Sequence, residues 1–247
     1  MRPRRLALTV LPLALVLGAC GGGDPTATPD SSAAVERSTA ATAQPSAGTS
    51  DPSSDGLDQL DQAQLDQQLR DAAWANDVPL ARRLVQHGAN VNAKDDTEQS
   101  AYLIATSEGR LALLRLALRN GAQVNDKDSW NGTGLIRAAE RGHAQVVGEL
   151  LRAGIDRDHV NRIGYQAIHE AVWLGRDTPS YATTVRVLAA GGVRLTDRST
   201  SAGLTPLQMA RSRGFTGLER ILTSVTTTKP PANPDAALLQ AAEAGDA

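Results

Sequence analysis

The sequence predicts an all-α repeat solenoid of paired antiparallel helices, on three observations. Gly88, Gly121 and Gly154 recur at one fixed interval, and Gly109, Gly142 and Gly175 keep the same interval. Ala72, Ala105, Ala138 and Ala171 follow it too. A fixed period of about 33 residues marks stacked supersecondary units. The third observation is a scarcity. The 247 residues include only three Trp, three Tyr and one Phe, which is thin for one deep core and suits a long, narrow one.

Each unit reads as two helices. The alanines let the first helices of neighbouring units approach closely, and the glycines permit the left-handed turn that ends a helix. The apolar runs that end at Gly88, Gly121 and Gly154 place a second helix between both neighbours. These motifs resemble ankyrin repeats. The pieces are Thr205-Pro206-Leu207-Gln208-Met209-Ala210, then Thr133-Gly134-Leu135 with Ala138-Ala139 and Gly142-His143. Gly88-Ala89-Asn90-Val91-Asn92 and Gly121-Ala122-Gln123-Val124-Asn125 complete the unit. The resemblance covers about two thirds of the chain and implies an ankyrin-repeat array with β-hairpin or loop fingers. It divides residues 57–225 into about five repeats, at 61–94, 95–127, 128–160, 161–199 and 200–225. The fourth carries four extra residues around Asp177–Ser180, because the stretch from Gly175 to Gly191 is longer by four than that from Gly142 to Gly154, and two more precede Thr205.

The first repeat is polar, as an N-terminal cap must be: Asp58, Asp61 and Asp66 with Gln62, Gln67 and Gln68 surround Leu57, Leu60, Leu65 and Leu69. Residues 226–247 form a linker and a partial repeat. After the breaker Lys229–Pro234, Leu238-Leu239-Gln240-Ala241-Ala242-Glu243-Ala244-Gly245-Asp246 resembles the opening of another unit. It reads either as a C-terminal cap or as the start of a second array.

The N-terminus predicts export. Arg2, Arg4 and Arg5 precede the apolar run Leu6–Leu17, which is too short to span a bilayer and fits a signal peptide over residues 1–19. Leu17-Gly18-Ala19-Cys20 resembles a bacterial lipobox, which implies an exported lipoprotein with a diacylated Cys20 on the cell envelope, outside the cytoplasmic membrane. An ordinary secretory signal is the alternative. It would leave the single cysteine as a free thiol. Residues 20–56 are nearly all small or polar and read as a disordered tether, giving a mean reach of roughly 30–35 Å. Without the three signal arginines, 22 basic residues face 27 acidic ones, so no nucleic-acid partner is expected and no polybasic segment aids attachment.

No catalytic constellation stands out: there is no phosphate-cradling glycine loop, no C-x-x-C and no H-E-x-x-H. The expectation is a protein that is not an enzyme and has no cofactor. His87, His143 and His169 sit at structural positions of the motif. Only His159 lacks one. With Asp156 and Asp158 it would make a weak divalent-metal site or, as the plainer alternative, a solvated loop.

The resemblance also implies where a partner would bind: fingertips and the exposed side of each first helix. Counting from the residue that opens each first helix selects Trp74, Glu108, Trp130, Glu140, Arg141, Arg162, Ile163, Tyr165, Trp173 and Leu174. All three tryptophans fall there, and aromatic anchors dominate interface energetics. Packing over neighbouring helix stems is the competing reading for Trp74 and Trp173. The expected hot spot is Trp130, Tyr165 and Trp173, with Trp173→Ala weakening a partner by about 2 kcal/mol and barely moving Tm. The function expected is a monomeric, lipid-anchored module that holds an unidentified protein partner. The alternative is an immunity or inhibitor protein against a secreted toxin or enzyme.

Overall fold

A computed structural model describes residues 56–227. The expectations for the signal peptide, Cys20, the tether up to residue 55 and residues 228–247 lie outside the described residues. After a 3-10 turn at Leu57–Gln59 come ten helices: α1 (Gln62–Ala75), α2 (Val78–Gln86), α3 (Ala101–Ser107), α4 (Leu111–Arg119), α5 (Gly134–Glu140), α6 (Ala144–Arg152), α7 (Ala167–Trp173), α8 (Pro179–Ala190), α9 (Pro206–Ser212) and α10 (Thr216–Thr227). They form five helix pairs. The odd-numbered helices stack as an inner row and the even-numbered ones as an outer row. Among the described residues there is no strand, only an isolated bridge between Lys127 and Thr133, so the fingers are loops.

The inner helices start and stop on local chemistry. Asp61 opens α1 with a reciprocal cap: Gln64 N donates to its carboxylate (2.8 Å) and its own N donates to Gln64 Oε1 (3.0 Å). Ser100 and Thr205 cap α3 and α9 through Leu103 N and Gln208 N. Ala105, Ala138, Ala171 and Ala210 are fully buried between neighbours. The approach is close enough that a Cβ on Gly134 would lie 2.8 Å from the Thr106 side chain. Tyr102, also fully buried, donates from its hydroxyl to Val124 O (2.8 Å), and burial pushes its pKa above the ordinary tyrosine value.

The fourth pair departs from the expected spacing. The left-handed glycine that ends α8 is Gly192 (φ 77°), the counterpart of Gly154 (φ 80°). The stretch from Gly175 to Gly192 exceeds that from Gly142 to Gly154 by five, so the insertion is five residues rather than four. Gly175 also lacks the positive φ of Gly109 and Gly142. Glycine is needed there for room, since a Cβ would lie 1.8 Å from Ala171 O.

That insertion ties the neighbours together. Asp177 caps α10, accepting from Gly217 N and Leu218 N at 2.9 Å each. Tyr181 reaches the other way and donates to Glu140 O at the end of α5 (2.9 Å).

The fifth pair closes the described array. Ala73, Thr106, Ala139 and Val172, each at most 1% exposed, share an inner-helix position that Arg211 holds in α9. Ala81, Leu114, Val147 and Val185, all fully buried, share an outer-helix position that Glu219 holds in α10. Arg211 and Glu219 pair with each other at 2.8 Å on the outward side. A sixth pair stacked in register would bury both. No described helix is long and apolar enough to cross a membrane.

Candidate partner-binding surface

The finger geometry follows from one side chain per repeat. Asp95 Oδ1 accepts from Thr97 N (2.9 Å) and Gln99 N (3.0 Å). Asp128 Oδ1 does the same for Trp130 N (2.8 Å) and Gly132 N (2.9 Å), and Asn161 Oδ1 for Ile163 N (3.1 Å) and Tyr165 N (2.9 Å). A short acceptor two and four residues upstream thus folds each tip back on itself. One tip residue must then turn left-handed: Glu98 (φ 60°), Asn131 (φ 58°) and Gly164 (φ 95°). These Asp and Asn anchors recur at the interval of the glycines, a legible signal that counting recognition positions passes over.

Neighbouring tips are joined. Arg162 N donates to Trp130 O and Thr200 N to Gly164 O, both at 3.0 Å. Asn131 Nδ2 donates to Val160 O (3.1 Å), and His159 donates from Nε2 to Asn131 O (2.8 Å). His159 is therefore a strut between fingers. Asp158 faces Arg194 at 3.2 Å, and no group of three potential metal-ligating side chains occurs among the described residues. The other histidines are also structural. His169 accepts from Gln166 N (3.4 Å) and donates to Asp197 O (3.1 Å); His143 Nε2 meets Ser107 O (3.1 Å); His87 meets Asp58 (2.8 Å). Burial holds the pKa values of His143 and His169 below the ordinary histidine value.

Beneath the second and third fingers lies a polar cluster in which Asp128 and Glu170 are buried and Arg137 and Glu140 half-buried. Arg137 binds Asp128 through Nε and Glu140 through Nη1 (2.8 Å). Burial would raise the Asp128 pKa, but the Arg137 and Gly132 donors outweigh it and hold the carboxyl low. Glu170 is the converse. At 1% exposure it accepts from Asn161 Nδ2 (2.7 Å) through one oxygen, while the other is buried without a hydrogen-bond partner. Burial first, and the Glu140 charge after the opposing Asn161 bond, push its pKa up.

The expected partner-binding residues sort into three groups. Trp74 (48% exposed), Trp130 (55%), Ile163 (48%) and Leu174 (50%) present apolar surface to solvent, and Arg162 is exposed with no carboxylate partner among the described residues. Glu108 and Arg141 bind each other across adjacent repeats, whereas Glu140 binds Arg137 within α5, so all three charges are already engaged inside the array. Tyr165 corrects the expectation, and Trp173 agrees with the competing reading of packing. Tyr165 is 5% exposed because its ring turns inward to stack on His169 (centroids 6.1 Å apart) and to meet Trp173 at 6.1 Å. Trp173 is half-buried under the Arg213 guanidinium, 5.4 Å above its ring. Trp173→Ala would thus disturb packing. Val160, 38% exposed, joins Trp130 and Ile163 at the tips and was not anticipated.

An open recess of about 740 Å³ between the first three fingers is lined by Lys94, Glu98, Asp126, Lys127, Asn131 and Arg162 among others. Lys94 and Asp126 are paired across it at 2.8 Å. Charges of both signs on a wide opening suit a polar rim more than an enclosed small-molecule site.

Comparison with known proteins agrees with this architecture. The family model "Ankyrin repeats (3 copies)" matches residues 69–160 and 102–193. The ankyrin repeat protein YahD of Escherichia coli (strain K12) is 33% identical over 142 residues, 56% of this chain and 69% of that protein. The crystal structure of an ankyrin repeat domain from Acinetobacter baumannii AYE has a TM-score of 0.61 and 39% identity, covering 64% of this chain and 80% of that one. The ankyrin repeat protein EF0377 gives a TM-score of 0.60 and 33% identity, covering 63% and 78%.

Proposed function

Because the chain belongs to the ankyrin-repeat family, we propose that it is a non-enzymatic protein–protein interaction module that holds a protein partner on its fingers and inner helices. In this reading a lipid on Cys20 anchors it to the cell envelope, outside the cytoplasmic membrane, and residues 20–56 tether the array. The fold is typically a scaffold for binding, and function has to be argued from the surface it displays. The observation that carries the reading is the set Trp130, Ile163 and Leu174, each about half exposed at a position where an ankyrin array meets partners. Large apolar side chains held in solvent by an ordered backbone are the usual material of interface anchors.

The test is affinity capture from membranes with the full lipoprotein, comparing wild type with Trp130→Ala and Ile163→Ala. These exposed side chains can be truncated without opening the core. Each variant is expected to weaken the partner by about 1–2 kcal/mol with its melting temperature retained. Undiminished capture by both variants would remove the fingertips from the interface. Cys20→Ala releasing the protein from the membrane fraction tests the anchor separately.

A further inference from the structure

The outer helices collect charge that the sequence scatters. Arg82 in α2, Arg115 in α4, Arg186 in α8 and Arg220 in α10 each follow the outer-helix position that Ala81, Leu114, Val185 and Glu219 share; only α6 departs, with Gly148. One turn on, α4 and α6 add Arg119 and Arg152. The members of this row stand about a repeat apart in sequence, so stacking alone brings them together. In all, the outer helices hold seven arginines and two glutamates, whereas the other described residues are acidic on balance. Net charge conceals this segregation.

The packing of the array leaves most of the row unused. Arg115 pairs with Glu149 at 3.0 Å, and Arg152 lies 3.9 Å from the same carboxylate. Arg82, Arg119, Arg186 and Arg220 are exposed and have no carboxylate partner among the described residues. Arg186 and Arg220 line one open recess of about 300 Å³ with Ile221, Ser224 and Val225, room enough for a phosphate group. Helices packed about 8–10 Å apart spread the guanidinium groups over roughly 30–40 Å. A protein partner would need an apolar centre, and the exposed large apolar residues Trp74, Trp130, Val160, Ile163 and Leu174 all lie off the outer helices. Single-stranded nucleic acid would need stacking platforms, and the one aromatic in these helices, Tyr181, is tied to Glu140 O. Arginines spaced singly over such a face match a field of separate phosphates, and each one near an anionic bilayer adds about fivefold to binding.

We propose that the arginine row of the outer helices binds the phosphate headgroups of an anionic bilayer, leaving the inner helices and fingers free to meet a partner. The second clause rests on the proposed function; the headgroup contact does not. The test uses the full chain with Cys20→Ala, which removes the single cysteine, and Gln86→Cys carrying an environment-sensitive nitrobenzoxadiazole label. Gln86 is exposed one turn beyond Arg82. Vesicles of equimolar phosphatidylglycerol and phosphatidylcholine should shift the emission to the blue. Phosphatidylcholine alone should not, nor should the mixed vesicles in about 1 M salt, where the screening length is about 3 Å. Arg186→Gln with Arg220→Gln should raise the lipid concentration for half the response by about tenfold or more, with circular dichroism unchanged. Should that pair disturb the fold, Arg82→Gln with Arg119→Gln is read from a label at Ser224→Cys instead. Residues 1–19 are the same in every variant, so the differences report the row. No shift at Gln86→Cys, an equal shift from a fingertip label at Ser201→Cys, or a midpoint indifferent to the arginine pair would overturn the proposal. So would a response to duplex DNA without one to vesicles. Neither a partner nor a lipid on Cys20 takes part, so failure here and failure of the capture or anchor experiments are read separately.

Discussion

Helix pairs α5–α6 and α9–α10 are built on one template and part company most sharply at two positions that face onward along the array. Ala138, Val146 and Leu150 in the first correspond to Ala210, Leu218 and Leu222 in the second, and all six are at most 1% exposed. Where the third pair has buried Ala139 and Val147 facing onward, the fifth has Arg211 and Glu219. The interior of a repeat is thus kept right up to the end of the described array. Termination needs polarity only on the side that would face the next unit, which is why a nearest-neighbour solenoid can be ended without redesigning its last member.

The hardest test of that contrast is to move the end into the middle. Val147→Glu places in α6 the side chain that α10 carries, but between two helices rather than at a free face. Burying a carboxylate without a partner is among the few substitutions that cost more than about 4 kcal/mol. Urea denaturation should show Val147→Glu unfolded or severely weakened. A midpoint close to wild type would mean that the two positions are not equivalent.

A smaller but pH-resolved effect is expected at Glu170, which packs against the third pair and has no counterpart at the array end. Its folded pKa is raised above 4.5. The destabilisation is therefore present above the folded pKa and disappears as pH falls through it toward 4.5. Glu170→Gln should stabilise the protein by about 1 kcal/mol at pH 7, and the gain should vanish near pH 4. His143 and His169 act in the opposite sense. Their folded pKa values are below 6.5, so their contribution is present above 6.5 and is lost as pH falls toward the folded values. Both variants of the comparison share those histidines, so the difference between the two thermal-melt profiles isolates Glu170. An equal gain at pH 4 and pH 7 would show that relieving charge is not the cause.

The fold was legible because period and small-residue placement are local consequences of stacking, and each inner helix repeats them. Exposure at Trp74, Trp130, Ile163 and Leu174 was legible for the same reason, since register on the template fixes which way a side chain points. The burial of Tyr165 was not, because it depends on the stack on His169, and for Trp173 the sequence left two readings open that only the guanidinium of Arg213 over its ring separates. The insertion length was misread by one residue because two adjacent glycines, Gly191 and Gly192, could each end α8, and only backbone φ separates them. The pairing of Glu108 with Arg141 joins side chains one full repeat apart and emerges only once repeats are stacked.

The fifth pair also differs from the third in having a packed neighbour on one side only among the described residues, so the Asp177 cap on α10 should matter. Asp177→Ala removes the acceptor for Gly217 N and Leu218 N and is expected to cost about 1 kcal/mol. The loss should appear as faster amide exchange concentrated in α10, with α5 and α6 unaffected. A uniform loss along the array would mean that the insertion acts through Tyr181 and the fourth pair instead.

The least stability change is expected at the closing pair itself. The Arg211 and Glu219 side chains are 56% and 36% exposed, so solvent screens their attraction and each alanine substitution should change stability by no more than about 0.5 kcal/mol. A double-mutant cycle should return a coupling of about 0.2–1 kcal/mol. The role argued for these residues is to keep other surfaces off the outward face. Arg211→Ala with Glu219→Val should therefore leave the melting temperature nearly unchanged while restoring the small and apolar residues that α5 and α6 present to their neighbour. Sedimentation velocity should then show concentration-dependent association stronger than that of wild type. If the double variant stays as dispersed as wild type, two polar side chains are not what closes the array, and the exposed threonines of α10 become the residues to examine.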